Sequence, residues 1–175
     1  MPVVKTELTA TFINDKFLRV STMESTKINN DTIMKDFSDF LKCIDNMNLV
    51  FETGYKHKPT VLPMERTIDF HRVLSEEVNE LLDASKLYVV KDATSIDILT
   101  SYADTLGDII VYCASEARRW GIPILEVLQK IMESQNSKLV DGKPLWNEGR
   151  TKFIKGPNFV APEDGIKQVL LEASK

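Results

Sequence analysis

The chain has 175 residues, 43% apolar and 27% charged, enough for one domain with a real core and too little for a tandem array or a large barrel. Its 22 Lys+Arg against 26 Asp+Glu give a formal net charge of −4, which excludes the basic excess of a whole-surface nucleic-acid binder. Seven Gly and seven Pro are few for a loop-rich or β-rich fold, and the stretch 84–106 contains neither, so the composition tolerates helix.

Along the chain, Val3-Val4, Phe12-Ile13 and Phe17-Leu18-Arg19-Val20 are β-branched or aromatic, with Asn14-Asp15 as turn residues between the last two groups. They predict a small hairpin over 1–30, an edge suited to pairing with another subunit. Asn30 or Asp31 caps a helix carrying Ile33, Phe37, Phe40, Leu41, Ile44 and Met47 at three- and four-residue steps. Residues 51–63, with Gly54, Pro59 and Pro63, form a connecting loop. A second helix runs from Met64 to about Tyr88 with Ile68, Leu74, Val78, Leu81 and Leu82 as its apolar positions. Thr94 or Ser95 caps a third with Ile98, Tyr102, Leu106, Ile109, Cys113 and Ala117, which Gly121 stops. Pro123 opens a fourth helix that extends to about Leu139, and a short amphipathic helix through Ile166, Val169 and Leu170 closes the chain. The expected fold is all-α: a four-helix-type bundle over 31–139, assembled as an oligomer, with an irregular basic tail over 140–175.

Cys43 and Cys113 lie far apart within apolar patterns and read as small core residues in a reducing cytoplasm. No segment has the shape of a signal peptide, and no apolar run approaches the ~20 residues that cross a bilayer, so a soluble cytoplasmic protein is expected.

The chemistry lies in the acids. Glu76, Glu77 and Glu80 fall within about 100° of arc on the second helix, and Asp104 and Asp108 stack on one face of the third. A solvated helix face mixes its signs, because like charges four apart repel. Here Glu76 with Glu80 and Asp104 with Asp108 are both repulsive, and only Arg72 is placed to offset any of them. Two carboxylates 4 Å apart repel by about 4 kcal/mol at an effective dielectric of ~20, so the two faces meet in a bundle only around a cation. An all-carboxylate donor set selects a hard ion, Mg²⁺ or Mn²⁺. A di-iron centre needs Glu-x-x-His on two helices, and neither His57 nor His71 completes that motif. Carboxylate-held Mg²⁺ suits phosphate chemistry, and the tail cations Lys138, Lys143, Arg150, Lys152 and Lys155, with Asn136 and Asn158, can match a substrate's negative charge. Phe37, Phe40, Trp120, Trp146 and Phe153 are the aromatics able to stack on a base, although packing is the commoner use of each.

Ser75-Glu76-Glu77-Val78-Asn79-Glu80-Leu81 followed by Asp104-Thr105-Leu106-Gly107-Asp108 resembles the E-E-x-x-E and later acidic motif of the MazG-like all-α NTP pyrophosphohydrolases. Asp69-Phe70-His71, Gly121-Ile122-Pro123, Ser134-Gln135-Asn136-Ser137-Lys138-Leu139, Asp141-Gly142-Lys143-Pro144 and Lys155-Gly156-Pro157-Asn158-Phe159 extend the likeness over 31–162, toward the branch near phosphoribosyl-ATP pyrophosphohydrolases. The resemblance implies hydrolysis of a nucleoside triphosphate to the monophosphate and pyrophosphate. It implies Mg²⁺ on Glu76, Glu77, Glu80 and Asp108, with Glu77 and Glu80 as the catalytic candidates. Asn136, Lys138, Lys155 and Asn158 would contact substrate. The family's second motif is usually Glu-x-x-Asp; Thr105 stands at the Glu position here, and Asp104 is the acid able to take over. The resemblance further implies a homodimer or homotetramer and suits a phage-encoded enzyme of the nucleotide pool, with (d)GTP as the first substrate to try and a pyrimidine such as dUTP or dCTP its rival. The alternatives are phosphoribosyl-ATP hydrolysis and a noncatalytic helical module whose acidic faces bind a basic partner.

Overall fold

A computed structural model of the protein describes residues 30–175, in which Met34–Lys175 form one compact unit. The hairpin expected over 1–30 lies outside the described residues. Five α-helices follow: α1 (Asn30–Val50), α2 (Met64–Lys86), α3 (Ser95–Arg119), α4 (Ile124–Asn136) and α5 (Glu163–Ala173), with a 3-10 turn at Leu87–Val89. Among the described residues the fold is helical, and no helix is long and apolar enough to cross a membrane.

The ends of the helices follow local chemistry. Thr94 caps α3: its Oγ1 accepts from the Asp97 amide at 3.3 Å, and the Asp97 carboxylate accepts from the Thr94 amide at 2.7 Å. The Thr94 hydroxyl, which also donates to that carboxylate at 2.6 Å, and then the Thr94 amide hold the Asp97 carboxyl below the ordinary aspartate range. At the other end Gly121 adopts φ +66°, its amide donating to Arg118 O and that of Ile122 to Ala117 O, a Schellman closure open to glycine at little cost. The loop 51–63 is tied to this end, since the amides of Lys56 and Thr60 donate to the carbonyls of Arg118 and Trp120. Pro123 is the residue before α4, which ends at Asn136 rather than near Leu139.

The α2 and α3 helices pack along their length and run antiparallel, because Arg66 near the start of α2 forks onto Glu116 near the end of α3. Glu116 is buried and also accepts from Trp120 Nε1 at 2.6 Å. Removing the guanidinium leaves a buried carboxylate with the indole and the more distant Arg119. Arg66→Met is therefore expected to cost about 3 kcal/mol, the low end for breaking a buried pair, read as a fall in denaturant midpoint at unchanged slope. On the other flank α1 packs on the second half of α3. Leu41 and Ile44 meet Ala114, with Phe37 and Phe40 against them, while Asp45 takes a bidentate bond from Arg118 and buried Asn48 accepts from Ser115 Oγ at 2.6 Å. Phe37 and Phe40 are thus part of the core, their rings 5.4 Å apart.

Two expectations change. Cys43 and Cys113 are exposed, not core residues, because each sits on the outward side of its helix. Six of the eleven apolar positions expected to form the core of α2 and α3 are at the surface: Ile68, Val78 and Leu82 on α2, Tyr102, Leu106 and Cys113 on α3. The pattern superposes two stripes. One packs the helices together, and the other repeats at alternating four- and three-residue steps through Met64, Ile68, His71, Ser75, Val78 and Leu82, and through Leu99, Ala103, Leu106, Ile110 and Cys113.

The tail is more ordered than expected. Val140 pairs with Lys143 and Trp146 with Phe153 as single antiparallel bridges, and Ile154 N donates to Leu145 O. The Asn147 side chain accepts from the amides of Thr151 and Lys152 and closes the turn between them. One-pair bridges are too short to leave an alternating pattern in the sequence.

Candidate functional site

Glu77 lies on the face of α2 that packs on α3 and is buried, whereas Glu76, Glu80, Asp104 and Asp108 are exposed around it. The acids of both helices lie on one side of the pair, about 150° around each helix from the exposed apolar stripe. Glu77 Oε2 is shut off from solvent and has no hydrogen-bond partner. Its carboxyl is pushed above the ordinary glutamate range, first by burial and then by the charges of Glu80, Asp108, Glu76 and Asp104. The structure therefore brings all five predicted acids into one field.

Nothing offsets that field among the described residues. None of the five acids forms an ion pair, and Arg72 turns instead to Asp69 at 3.2 Å. Nor are the carboxylates drawn together: among the described residues no three His, Cys, Asp or Glu side chains stand close enough to share one metal ion. Exposed like charges without a counter-ion splay apart in this way.

Thr105 is buried at 2% exposure, its hydroxyl donating to Ser101 O at 3.2 Å. The position at which the resembling family carries a glutamate is thus filled by a packing residue, and from α3 it is Asp108 and, more weakly, Asp104 that act on Glu77. Tyr112, absent from the sequence-based set, belongs with the cluster. Although 39% exposed, its phenol is pushed above the ordinary tyrosine range by partial desolvation and by the charges of Glu77, Asp108, Glu80 and Glu76. The signal in the sequence is its position four residues beyond Asp108, on the same helix face.

The four predicted substrate contacts lie elsewhere in the chain. Asn136 ends α4, Lys138 Nζ donates to Gln135 Oε1 at 2.7 Å, Lys155 Nζ stands 4.3 Å from the Phe159 ring centroid, and Asn158 is exposed. No tail cation is among the groups that shift Glu77.

The donor types suit a hard divalent ion on two grounds, although the side chains would have to close in to share one. The set consists of carboxylate oxygens alone, and it contains a buried oxygen with no protein partner, which is costly unless a proton or a cation satisfies it. No family model matches the chain, and no curated protein matches it.

Proposed function

We propose that the protein is a Mg²⁺-dependent nucleoside triphosphate pyrophosphohydrolase that converts a (d)NTP, with (d)GTP the first to test, to the monophosphate and pyrophosphate. The observation that carries this reading is the buried, unpartnered Glu77 oxygen among four further carboxylates that lack any ion pair among the described residues. Glu76, Glu77, Glu80, Asp104 and Asp108 would hold the ion, with Mn²⁺ able to substitute. The four exposed members would swing toward the buried Glu77 to close on the ion. Bound Mg²⁺ would polarise phosphoryl oxygens and lower the pKa of a water.

The chain's own groups divide the remaining work. A carboxylate of the Glu77/Glu80 pair not engaged by the ion accepts the proton of the attacking water. The Tyr112 hydroxyl donates toward the developing charge. Asn136, Lys138, Lys155 and Asn158 hold the substrate's phosphates and sugar. The enzyme acts as a homodimer or homotetramer in the cytoplasm, its exposed α2/α3 stripe covered by a second copy, since residues such as Ile68 and Leu106 are 59% and 48% exposed in the single chain.

Metal binding is tested by melting temperature. With its carboxyl pKa raised on folding, Glu77 keeps a proton that the unfolded chain has lost, so its contribution to the stability of metal-free protein falls as pH climbs from the ordinary glutamate range through the raised value. Mg²⁺ displaces that proton, so its stabilising effect is expected to grow with pH, reaching about 2.7 kcal/mol at a hundred times its Kd. A melting temperature indifferent to Mg²⁺ and Mn²⁺ at pH 8 would contradict the proposed site and favour a noncatalytic acidic surface.

A further inference from the structure

Beyond the acid cluster, the end of α4 and the tail line a half-open pocket of about 240 Å³. Leu139, Leu145, Phe153 and Ile154 make its apolar walls, and Gln135 and Lys138 are its polar members. The walls are held from behind. Trp146 packs on Phe153 with ring centroids 4.0 Å apart, and Ile154 N bonds to Leu145 O across the turn. The tail is also pinned to α4 at its far end, because Ser137 Oγ accepts from Val160 N at 2.9 Å, and Gly156 lies so close to Lys138 O and Val140 that an added Cβ would clash.

The segment that supplies most of this pocket is basic where the acid cluster is acidic, and its Lys138 borders the pocket itself. Residues 138–159 carry Lys138, Lys143, Arg150, Lys152 and Lys155 against only Asp141 and Glu148. None of these cations forms an ion pair among the described residues. In a chain with net charge −4, that concentration of unmatched positive charge beside an apolar slot calls for a ligand that is flat and apolar at one end and multiply anionic at the other. A purely apolar protein surface would leave the cations unmatched. A single strand of nucleic acid is read by successive stacking platforms along a groove, whereas here one aromatic wall, Phe153, stands among aliphatic ones.

We propose that this pocket binds the base of a nucleoside triphosphate between Phe153 and the aliphatic walls, with the Gln135 amide at the base edge and Lys138 and the tail lysines on the phosphates. It makes the tail the specificity element of the proposed hydrolase and rests on that reading for its ligand class.

Isothermal titration of the full-length protein in EDTA, where no turnover occurs, separates the two. GTP and ATP are the probes, inorganic tripolyphosphate is the base-free control, and Phe153→Ala and Ile154→Gln are the variants. Wild-type protein is expected to bind at least one nucleotide about ten-fold more tightly than tripolyphosphate, a margin that base stacking supplies. Both variants should lose that margin and keep their affinity for tripolyphosphate. If Phe153→Ala lowers the melting temperature, Ile154→Gln, at a side chain 43% exposed, decides the matter. Equal affinity for nucleotide and tripolyphosphate, absence of binding, a margin that survives Ile154→Gln, or tighter binding of a single-stranded oligonucleotide would each overturn the pocket. Pyrophosphate release with Mg²⁺ at unchanged KM in both variants would overturn it and leave the hydrolase reading standing. Nucleotide binding in EDTA without hydrolysis in Mg²⁺ would do the reverse.

Discussion

Glu77→Gln is expected to lower pyrophosphate release about 10²–10⁴-fold, the span that a positioned proton acceptor contributes, and to raise the melting temperature of the metal-free protein at neutral pH. Both effects have one cause. Glu77 is buried, its Oε2 has no partner, and four neighbouring acids push its carboxyl pKa up. At neutral pH the folded protein must therefore either hold a proton there against the solution or tolerate a buried charge. The glutamine amide has nearly the same shape, carries no charge and is a poor ligand for a hard ion, so it relieves the fold and removes the chemistry together. The two readouts are kcat by a pyrophosphate-specific assay and Tm in EDTA. A residue that served only to pack α2 on α3 would show the stability change, if any, with turnover intact.

Gly121→Ala is expected to destabilise the protein by about 3–5 kcal/mol, combining the strain of a left-handed non-glycine residue with the loss of hydrogen bonds that must shift to accommodate it. Gly121 has φ +66°, and a Cβ there would stand 2.1 Å from the carbonyl oxygen of Lys58. That contact is with backbone, so no rotamer relieves it. Relief requires moving the loop away from α3, which breaks the bonds from Lys56 N to Arg118 O and from Thr60 N to Trp120 O. Chemical denaturation followed by far-UV circular dichroism measures the effect. Gly107, which has open space at its Cβ position and lies inside α3, is the contrasting site, where alanine is expected to stabilise by about 0.5–1 kcal/mol.

The helix boundaries other than the end of α4 were legible because their signals are local. Thr94 with Asp97 makes a capping box, Gly121 closes α3, and Pro63 and Pro123 precede helices, and each acts through bonds within a few residues. The acid cluster was legible for a related reason: spacing places Glu76, Glu77 and Glu80 on one arc and Asp104 with Asp108 on another, and absent compensation is visible without coordinates. Which apolar face each helix buries was not legible. On α2, Leu74 and Leu81 turn toward α3 while Ile68, Val78 and Leu82 turn outward, and both sets satisfy a helical period. Period alone does not say which stripe meets the partner helix. The unique depth of Glu77 among three glutamates depends on the same choice of face, and Tyr112 joins the cluster only when α2 and α3 are brought side by side. Arg72 had two acids within reach along its helix and took Asp69, an outcome decided by weak surface energies that spacing does not resolve.

The central claim is that the acidic side of α2 and α3 turns over a nucleoside triphosphate through a divalent ion. Incubating the full-length protein with Mg²⁺ and a panel of (d)NTPs plus phosphoribosyl-ATP, and resolving the phosphorus products by ³¹P NMR, tests it most directly. Pyrophosphate and the nucleoside monophosphate are expected in equal amounts from at least one (d)NTP, with (d)GTP first, and no orthophosphate. Intact triphosphates throughout with both Mg²⁺ and Mn²⁺, or orthophosphate and a diphosphate as the products, would contradict it.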